Sequence, residues 1–475
     1  MATIKVMDPV TRIEGHMKVE ITVDTVGGVQ QVTNAKCTGT LFRGFETILT
    51  GRDPKDAPII TTRICGVCPV SHAMASSMAL DAAAKKTISA NARILRNLTL
   101  GANFIQSHIL HFYLLAALDY ATGPGGAPFT PAWTTDMRGL NLTNSMVKAI
   151  EARRVAHQMG SVFGGRMPTP HTYVPGGFTA VPNSSRISTF RGFLTSLRSF
   201  IQNTYIPDVQ MVANVYDDFL SIGKGHGNLM AYGVFDLTAD GSSKLLKRGV
   251  VNATAPTTVA TLDTNLIKES VTYSWYDNAT NNLGPAGGKT TAVDPATKTS
   301  AYSWLKAPRY NGKPMEAGPL ARMWVNGDYR RGVSVMDRHL ARAQEALKIA
   351  NAMDGWLNQL QQGGSVYSNY TTPSTGTGTG LTEAARGALG HWVNISGGKI
   401  SNYQIITPTC WNASPKDTSN ANGPMEKALI GTPISNIDEP IEALRVIHSY
   451  DPCLSCAVHV MRPKGKPVVI HTGCK

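Results

Sequence analysis

The amino-acid sequence predicts an α+β fold in which a central bundle of long helices carries small β layers at its periphery. Apolar residues recur at helical spacing over several long segments, whereas the first fifty residues alternate between apolar and polar side chains. The chain of 475 residues can bury a substantial core. We expect a single large domain over residues 1–459.

The first element is a small β layer. Strand-like segments cover Ile4 to Val6 and Met17 to Val23, and a Gly27-Gly28 turn leads to a further strand that approaches Cys37. Long helices follow this layer.

Helical periodicity covers residues 70–86, 89–121, 142–163, 185–220 and 333–362. The second of these segments ends at a run of glycine and proline, which stops helices. These five segments would form the central bundle.

The remaining segments are shorter. Residues 224–301 are rich in Thr, Asn, Ser and Gly with short β-branched runs, such as those at residues 250–251 and 271–273, which predicts a β-rich peripheral insertion. A Thr/Ser/Gly loop at residues 367–379 leads to a predicted helix at residues 383–392. A strand at residues 403–406 and a final helix at residues 440–449 complete the order.

The composition is that of a compact protein. Hydrophobic residues make up 42% of the chain and charged residues 16%, which argues against disorder. No apolar run is long enough to span a membrane, and the first residues lack the features of a signal peptide. We therefore expect any export to depend on a partner's signal.

The formal net charge of +13 raises the question of nucleic-acid binding. The basic residues are scattered and form no known binding motif, so we expect no nucleic-acid partner. The last sixteen residues supply four basic side chains and no acid. A docking face for an acidic protein or a membrane surface is one explanation of the charge, and a solvated surface is the other.

Four of the seven cysteines form two Cys-X-X-Cys pairs, Cys65 with Cys68 and Cys453 with Cys456. Pairs at this spacing in a large chain are more often metal ligands or redox centres than structural disulfides. The first pair directly precedes a helix, whose N-terminus lowers the pKa of a thiol and favours the thiolate that binds metal.

Two kinds of metal site remain open at this point. Four thiolates make a closed tetrahedral zinc site, although zinc ribbons usually separate their pairs by roughly 15 to 20 residues. Here almost the whole chain lies between Cys68 and Cys453. Soft thiolates also suit nickel and iron, and two of four thiolates can bridge two metals.

Seven ordered segments resemble the signature segments of nickel-iron hydrogenase large subunits. They are Arg12-Ile13-Glu14-Gly15-His16, Leu41-Phe42-Arg43-Gly44-Phe45-Glu46, Arg63-Ile64-Cys65-Gly66-Val67-Cys68, His108-Ile109-Leu110-His111-Phe112-Tyr113, Arg386-Gly387-Ala388-Leu389-Gly390-His391-Trp392, Thr407-Pro408-Thr409-Cys410-Trp411-Asn412 and Asp451-Pro452-Cys453-Leu454-Ser455-Cys456-Ala457-Val458-His459. The resemblance implies that family's fold and a hydrogenase of the uptake or respiratory type, which cleaves H2 reversibly to protons and electrons. A structural or interaction protein with a four-cysteine zinc site is the alternative.

The resemblance implies a bimetallic centre. Cys65 and Cys453 would be terminal ligands of nickel, and Cys68 and Cys456 would bridge nickel to an iron that carries carbon monoxide and two cyanides. Cys453 would also take a proton from H2 and pass it to Glu14, which acts as a relay. The alternative for Glu14 is a salt bridge at the end of a strand.

The resemblance also implies a catalytic arginine, Arg386, suspended over the open face of the metals. Its alternative is an ordinary buried ion pair. The backbone of Arg386 and Thr409 would donate hydrogen bonds to the cyanides. Two positions depart from the family pattern: Ala385 stands where proline is common, and Ser107 stands where many relatives have an aspartate that pairs with the arginine. Asp451 is then the carboxylate expected beside Arg386.

Two further groups are implied near the centre. His72 would hydrogen-bond a bridging cysteine, although a histidine at a helix start is more often a cap or a packing residue. Glu46, the backbone carbonyl of Ile405 and His459 would hold a magnesium or iron ion, for which oxygen ligands are suited.

The resemblance finally implies processing and partners. Residues 460–475 would be a C-terminal extension that a maturation endopeptidase removes, which would leave His459 as the last residue. After the four ligands are assigned, no cysteine cluster remains for iron-sulfur centres, so an iron-sulfur small subunit is expected in an obligate heterodimer. A membrane cytochrome or another acceptor would take the electrons. We expect the periplasmic face of the membrane, after export with the small subunit, with the cytoplasm as the alternative.

Overall fold

The structure is a computed structural model that describes residues 2–12, 15–126 and 135–454. Helices form its centre, and small sheets lie around them. The expected fold class is confirmed.

The helices, numbered in chain order, are α1 (Phe45–Leu49), α2 (Ala57–Thr61), α3 (Pro69–Ala83), α4 (Ala90–Leu110), α5 (Thr143–Gly164), α6 (Ser184–Phe200), α7 (Ile206–Val215), α8 (Pro319–Asn326), α9 (Val335–Gln359), α10 (Pro408–Asn412), α11 (Pro424–Leu429) and α12 (Ile441–Ser449). All five predicted long helical segments are present, as α3, α4, α5, the α6–α7 pair and α9. The predicted final helix is α12.

The central helices α4 and α9 begin at serine caps and are buried along most of their length. The hydroxyl oxygen of Ser89 accepts a hydrogen bond from the Ala92 N–H at 3.2 Å, and that of Ser334 accepts one from the Asp337 N–H at 3.1 Å. Beyond its last residue α4 continues as a π-helical turn over His111–Ala116. The two helices pack against each other. In addition, α4 packs against α5, and α9 packs against α6.

The strands are β1 (Thr3–Met7), β2 (Met17–Val26), β3 (Val29–Gly39), β4 (Ala121–Thr122), β5 (Leu140–Asn141), β6 (Tyr173–Val174), β7 (Gly177–Phe178), β8 (Leu229–Ala231), β9 (Val234–Asp236), β10 (Lys244–Leu246), β11 (Gly249–Asn252), β12 (Ala255–Ala260), β13 (Ile267–Ser270), β14 (Ala307–Tyr310), β15 (Thr375–Ala384), β16 (Gly387–Ser396) and β17 (Lys399–Ile406). Antiparallel three-stranded sheets have the orders β1-β2-β3, β12-β11-β8 and β15-β16-β17.

The N-terminal sheet meets the C-terminal part of the chain. In β3, the Val32 N–H donates to the Thr432 carbonyl at 2.9 Å, and the Gly431 N–H donates to the Val32 carbonyl at 2.8 Å. Residues 431–432 lie just before α12, which leads to Cys453. The fold therefore brings the two ends of the sequence together.

The predicted helix at residues 383–392 is wrong, because these residues belong to β15 and β16. The two strands form an antiparallel hairpin that closes between Ala384 and Gly387. Both faces of the hairpin are buried from Leu381 onward, so its strands lack the apolar-polar alternation that marks a half-exposed strand. A Cβ atom at Gly380 would lie 2.0 Å from the Ala75 carbonyl oxygen of α3, so the strand requires glycine there.

Two shorter predictions also need correction. The β-branched run at residues 271–273 is a turn, because β13 ends at Ser270. The predicted loop at residues 367–379 ends early, since β15 begins at Thr375. Within the described ranges, no helix combines the length and the apolar character needed to cross a bilayer.

Candidate metal centre

Three cysteine thiols meet in the interior, although they come from opposite ends of the sequence. The Sγ atoms of Cys65, Cys68 and Cys453 all lie within 4.8 Å of one another, and those of Cys65 and Cys453 are 3.4 Å apart. Each residue is at most 2% exposed. Among the described residues, this is the one such cluster of three or more His, Cys, Asp or Glu side chains. The expected fourth ligand, Cys456, lies outside the described residues.

The chain around the first pair favours the thiolate form. Cys65 lies in the turn between α2 and α3, and its sulfur accepts hydrogen bonds from the N–H groups of Val67 at 3.4 Å and Cys68 at 3.2 Å. Cys68 directly precedes α3, which begins with Pro69. Backbone donors and a helix N-terminus both stabilise negative charge on sulfur. The turn is therefore suited to binding a metal cation.

Cys453 is held by a residue that sequence analysis assigned to cyanide binding. The Cys453 N–H donates to the Thr409 hydroxyl oxygen at 3.1 Å, where Thr409 lies in α10. Because that oxygen accepts a bond, the hydroxyl hydrogen remains available to a further acceptor. The chain reaches Cys453 through Asp451, whose φ of 55° turns it sharply after α12.

Arg386 and Asp451 lie side by side in the interior. One Nη of Arg386 is 3.0 Å from a carboxylate oxygen of Asp451, and both side chains are at most 2% exposed. The Arg386 Nε–H donates to the Asp451 carbonyl at 3.1 Å. The contact between the charged groups is an ion pair without hydrogen-bond alignment, since the Nη groups have no hydrogen-bond acceptor in the described part of the chain.

The charges around Arg386 keep it protonated. Burial opposes the charge, but Asp451 and then the three thiols raise the pKa of Arg386 well above its ordinary value. Position 107 supplies no carboxylate, because it is a serine. Ser107 is buried, and its hydroxyl has no hydrogen-bond partner among the residues that the structure describes. Asp451 is therefore the carboxylate that pairs with Arg386.

His72 contacts a second histidine that sequence analysis did not single out. The His72 Nδ1 is 3.1 Å from the His391 Nε2, and the His391 Nδ1 is 2.9 Å from the Tyr403 hydroxyl. Burial lowers the pKa of His72 to about 4, so the ring is neutral. Its Nε2 has no hydrogen-bond partner in the described ranges. The expected bond to a bridging cysteine is therefore not formed with Cys68, and Cys456 lies outside the described residues.

Glu46 lies in a polar environment at the edge of β17. The Ile405 N–H donates to one carboxylate oxygen at 2.8 Å, and the Thr290 hydroxyl donates to the other. The Lys306 ammonium is 3.7 Å from this second oxygen. The structure thus brings Glu46 and Ile405 together, as expected, whereas the third expected ligand, His459, lies outside the described residues.

The N-terminal motif is anchored on both sides of Glu14, which itself lies outside the described residues. Arg12 forms an ion pair with the carboxylate of Asp119, which follows α4. The Thr11 hydroxyl donates to the Gly15 carbonyl at 2.6 Å, so the segment closes on itself. These contacts anchor the described residues on either side of residues 13–14.

Four buried charged residues of α8 and α9 stand in no motif that the sequence singles out. Arg322 of α8 and Arg338, Arg342 and Glu345 of α9 are each at most 2% exposed. The α9 residues are spaced by four and three positions, which places them on one helix face. Charged residues at helical spacing among the buried residues of α9 were the available signal.

The chain is similar to known proteins over nearly its whole length. The family described as "Nickel-dependent hydrogenase" matches residues 43–123, 129–332 and 325–459, and a "HoxL-like" family matches residues 4–34. The periplasmic [NiFeSe] hydrogenase large subunit of Desulfomicrobium baculatum is 41% identical over 96% of this chain and 94% of its own length. The uptake hydrogenase large subunit of Bradyrhizobium diazoefficiens is 34% identical over 97% and 96%.

Solved structures show the same similarity. The structure of the H2-activated [NiFeSe]-hydrogenase of Dm. baculatum matches with a TM-score of 0.92 and 41% identity, over 97% of this chain and 100% of the other. The reduced Ni-Fe-Se hydrogenase of D. vulgaris Hildenborough matches with a TM-score of 0.92, 40% identity and the same coverage.

Proposed function

The chain belongs to the nickel-dependent hydrogenase family, as a large subunit, and from this premise we propose which of its residues carry out the reaction. It is an oxidoreductase that cleaves H2 at a nickel-iron site. The alternative, a structural or interaction protein with a four-cysteine zinc site, has no support in these matches. One observation carries the proposal for the site, namely that three buried thiols from the two ends of the sequence converge.

Cys65 and Cys453 would hold the nickel as terminal ligands, and Cys68 and Cys456 would hold it together with an iron that carries carbon monoxide and two cyanides. The 3.4 Å between the Cys65 and Cys453 sulfurs supports this assignment, because both sulfurs are close enough to bind one metal. When bound, the two metals supply the Lewis acidity and the electron transfer that heterolytic cleavage of H2 requires. The names of two relatives include selenium, whereas this chain has cysteine at all four positions.

Cys453 takes the proton on its sulfur and passes it to the carboxylate of Glu14, which relays it outward. Support comes from the contacts that anchor the N-terminal motif, because Arg12 is tied to Asp119 and the Thr11 hydroxyl is tied to Gly15. A relay group requires a defined position, and these contacts hold the described residues on either side of Glu14.

Arg386 presents a fixed positive charge to H2, while its backbone and Thr409 bind the cyanides. Its support is the pairing with Asp451 and the closeness of the thiols, which together keep the guanidinium charged in the interior. His72 donates from Nε2 to a bridging cysteine. Its support is that this nitrogen is buried and has no other partner among the described residues.

Glu46, the carbonyl of Ile405 and His459 hold a magnesium or iron ion. The oxygens of Thr290 and Gln404 also line the polar cavity of about 520 Å3 beside Glu46, and a hard cation prefers such ligands. The donor chemistry therefore fits. The ion would share the charge of Glu46 with Lys306.

The partner is an iron-sulfur small subunit that accepts the electrons, because the relatives are named as large subunits and this chain keeps no further cysteine cluster. From there electrons pass to a membrane cytochrome or another acceptor. The relative from Desulfomicrobium baculatum is named as periplasmic, which supports export together with the small subunit to the periplasmic face of the membrane. A maturation endopeptidase removes residues 460–475.

Metal analysis and infrared spectroscopy of the purified complex test the proposal. We expect nickel near one per large subunit, iron beyond what the small subunit's clusters hold, and sharp bands from carbon monoxide and cyanide. Zinc alone, without such bands, would overturn the assigned metal centre.

A further inference from the structure

Buried arginines hold the backbone on both sides of the Arg386–Asp451 pair. One arginine, from α8, binds the turn between β15 and β16 that carries Arg386. Another, from α9, binds the end of α12, which leads through Asp451 to Cys453. Neither arginine belongs to the ligands or to the proton path proposed above.

Arg322 of α8 binds the β15–β16 turn directly. Its two Nη groups donate to the carbonyls of Ala384 at 3.0 Å and Ala385 at 2.8 Å. The same guanidinium is itself fixed by ion pairs with Glu345 at 2.6 Å and Glu383 at 2.9 Å, and it is fully buried. The carbonyls of the two residues before Arg386 therefore accept hydrogen bonds from Arg322, which is itself held in place by its ion pairs.

The β15–β16 turn packs closely against the residues at the start of α8. Gly387 has a φ of 142°, and a Cβ atom there would lie 2.9 Å from the backbone of Ala317. The turn thus needs glycine to approach α8 this closely. Ala385 does not restrict its own φ as a proline would, and the hydrogen bonds from Arg322 restrain the turn instead.

Arg342 of α9 binds the other side of the pair. Its Nη2 donates to the carbonyl of Ser449, the last residue of α12, at 2.9 Å. One helical turn earlier, Arg338 donates to the Tyr450 hydroxyl at 2.7 Å. These contacts hold the two residues directly before Asp451, where the chain turns toward the nickel ligand.

The charge of Arg342 has one main counterpart. Burial lowers its pKa, and Asp451 is the largest of the charges that oppose this change. In the described ranges Arg342 forms no ion pair within 4.0 Å, and its bonds go to the Ser449 carbonyl and, within its own helix, to the Arg338 carbonyl at 3.3 Å. The charge of Asp451 therefore favours the charged form of Arg342 as well as that of Arg386, although only Arg386 forms an ion pair with it.

We propose that Arg322 and Arg342 are positioning residues for H2 cleavage, which fix the Arg386 turn and the Asp451 turn so that the ion pair keeps its place beside the thiolates. The functional part rests on the role proposed above for Arg386. The positioning part is independent of it, because it concerns only the order of two backbone segments.

The test uses the purified complex with Arg342→Met, Arg342→Lys and Arg322→Lys, and Arg96→Met as the control. Arg96 is also buried and donates to two carbonyls, those of Val174 at 2.8 Å and Gly177 at 3.0 Å, but it lies twelve positions before His108 on α4 and away from the centre. Hydrogen–deuterium exchange is followed by mass spectrometry for peptides that cover residues 448–453 and 384–388.

Arg342→Met should raise exchange roughly tenfold in residues 448–453 and leave distant segments unchanged, because one backbone anchor is lost. Arg342→Lys retains a donor and should restore much of the protection. Arg322→Lys should act on residues 384–388. The control should affect only residues 174–177 and the neighbourhood of Asp81, whose carboxylate forms an ion pair with Arg96 at 2.8 Å. Unchanged exchange at residues 448–453 in Arg342→Met would overturn the proposal, even if Arg322→Lys fails to fold.

The functional arm measures kcat and KM for H2 and the infrared bands of the loaded complex. A displaced ion pair should lower kcat by roughly 10- to 100-fold with little change in KM and should shift the cyanide bands in Arg342→Met but not in Arg96→Met. Local exchange that rises while kcat and the bands stay at wild-type values would refute the functional part. A wild-type complex without nickel or diatomic bands would instead refute the metal centre and leave the exchange result valid.

Discussion

The guanidinium of Arg386 and the carboxylate of Asp451 form an ion pair of 3.0 Å that is almost completely removed from solvent. A buried pair is costly to assemble, and its value depends on both partners being present. Among the described residues, Asp451 is the carboxylate that forms an ion pair with Arg386, and Ser107 offers none. The pair joins the β15–β16 hairpin to the segment that holds Cys453.

Replacing Asp451 by Asn should leave the Arg386 charge buried and unpaired. We expect a loss of about 3 kcal/mol or more in the free energy of unfolding and a fall in H2 turnover of roughly 100-fold. Denaturant unfolding and an H2 oxidation assay measure the two effects. The matched variant is Ser107→Asp in the Asp451→Asn background, which adds a carboxylate at the position where the family resemblance implies one. Part of the turnover should return, and wild-type turnover in the single variant would refute the role of Asp451.

The cysteines are of two kinds, those proposed to bind the metals and those that do not. Cys453→Ser should abolish nickel retention, because a serine hydroxyl is a hard and neutral donor. Cys410→Ser is the control, since Cys410 is also buried and burial raises the pKa of its thiol to about 11, which keeps it protonated. Elemental analysis of the two complexes gives the answer. Equal nickel contents would contradict the ligand assignment.

Glu14→Gln should separate proton transfer from metal binding. The amide cannot accept and release a proton, so turnover should fall roughly 100-fold or more, while nickel and iron contents remain at the wild-type level. H/D exchange with D2 should slow in parallel, because it also requires protons to reach the centre. Glu20→Gln, on the N-terminal sheet, serves as the control and should leave both rates unchanged. Full exchange activity in Glu14→Gln would remove Glu14 from the path.

Processing gives a prediction about mass. Intact mass spectrometry of the large subunit from active enzyme should show a chain that ends at His459, with residues 460–475 absent. A precursor from cells without nickel should keep the extension. Active enzyme that still ends at Lys475 would show that this chain is not processed.

Much of the helical bundle could be predicted from the sequence, because amphipathic helices such as α4 and α9 show their period in the order of apolar residues. The β15–β16 hairpin could not. Residues 383–392 are all buried and include three alanines, so a local pattern cannot distinguish this segment from a helix. The close contacts of Gly376, Gly378 and Gly380 with α3 are tertiary, and the sequence alone does not show them.

The site shows the same division. The two Cys-X-X-Cys pairs and Arg386 stand in recognisable motifs, and the structure brings three of the four thiols together. Arg322 and Arg342 stand in no motif, because their role depends on carbonyls that are distant in sequence. His391 does stand in a motif, but it was missed as a partner of His72 because the two histidines are far apart in the sequence.

The last prediction concerns stability against pH. Burial raises the pKa of Glu426 from 4.5 to about 7, although its carboxylate accepts hydrogen bonds from the Cys37 N–H at 3.0 Å and the Tyr302 hydroxyl at 2.8 Å. The folded state therefore binds this proton more tightly than the unfolded state. Its contribution to stability is full below about pH 4.5 and is lost as pH rises toward 7. Between about pH 5 and pH 7.5 the loss should be about 2 kcal/mol.

Other groups titrate in this window, so the difference between wild type and Glu426→Gln is the quantity to measure. Burial lowers the pKa of His72 to about 4, which makes stability rise with pH in the same range and could mask the effect in wild type alone. Subtraction removes such terms because both proteins share them. Urea unfolding should therefore show that the stability of Glu426→Gln relative to wild type improves by about 2 kcal/mol from about pH 5 to pH 7.5. A relative stability that stays constant would mean that Glu426 titrates alike in the folded and unfolded chain.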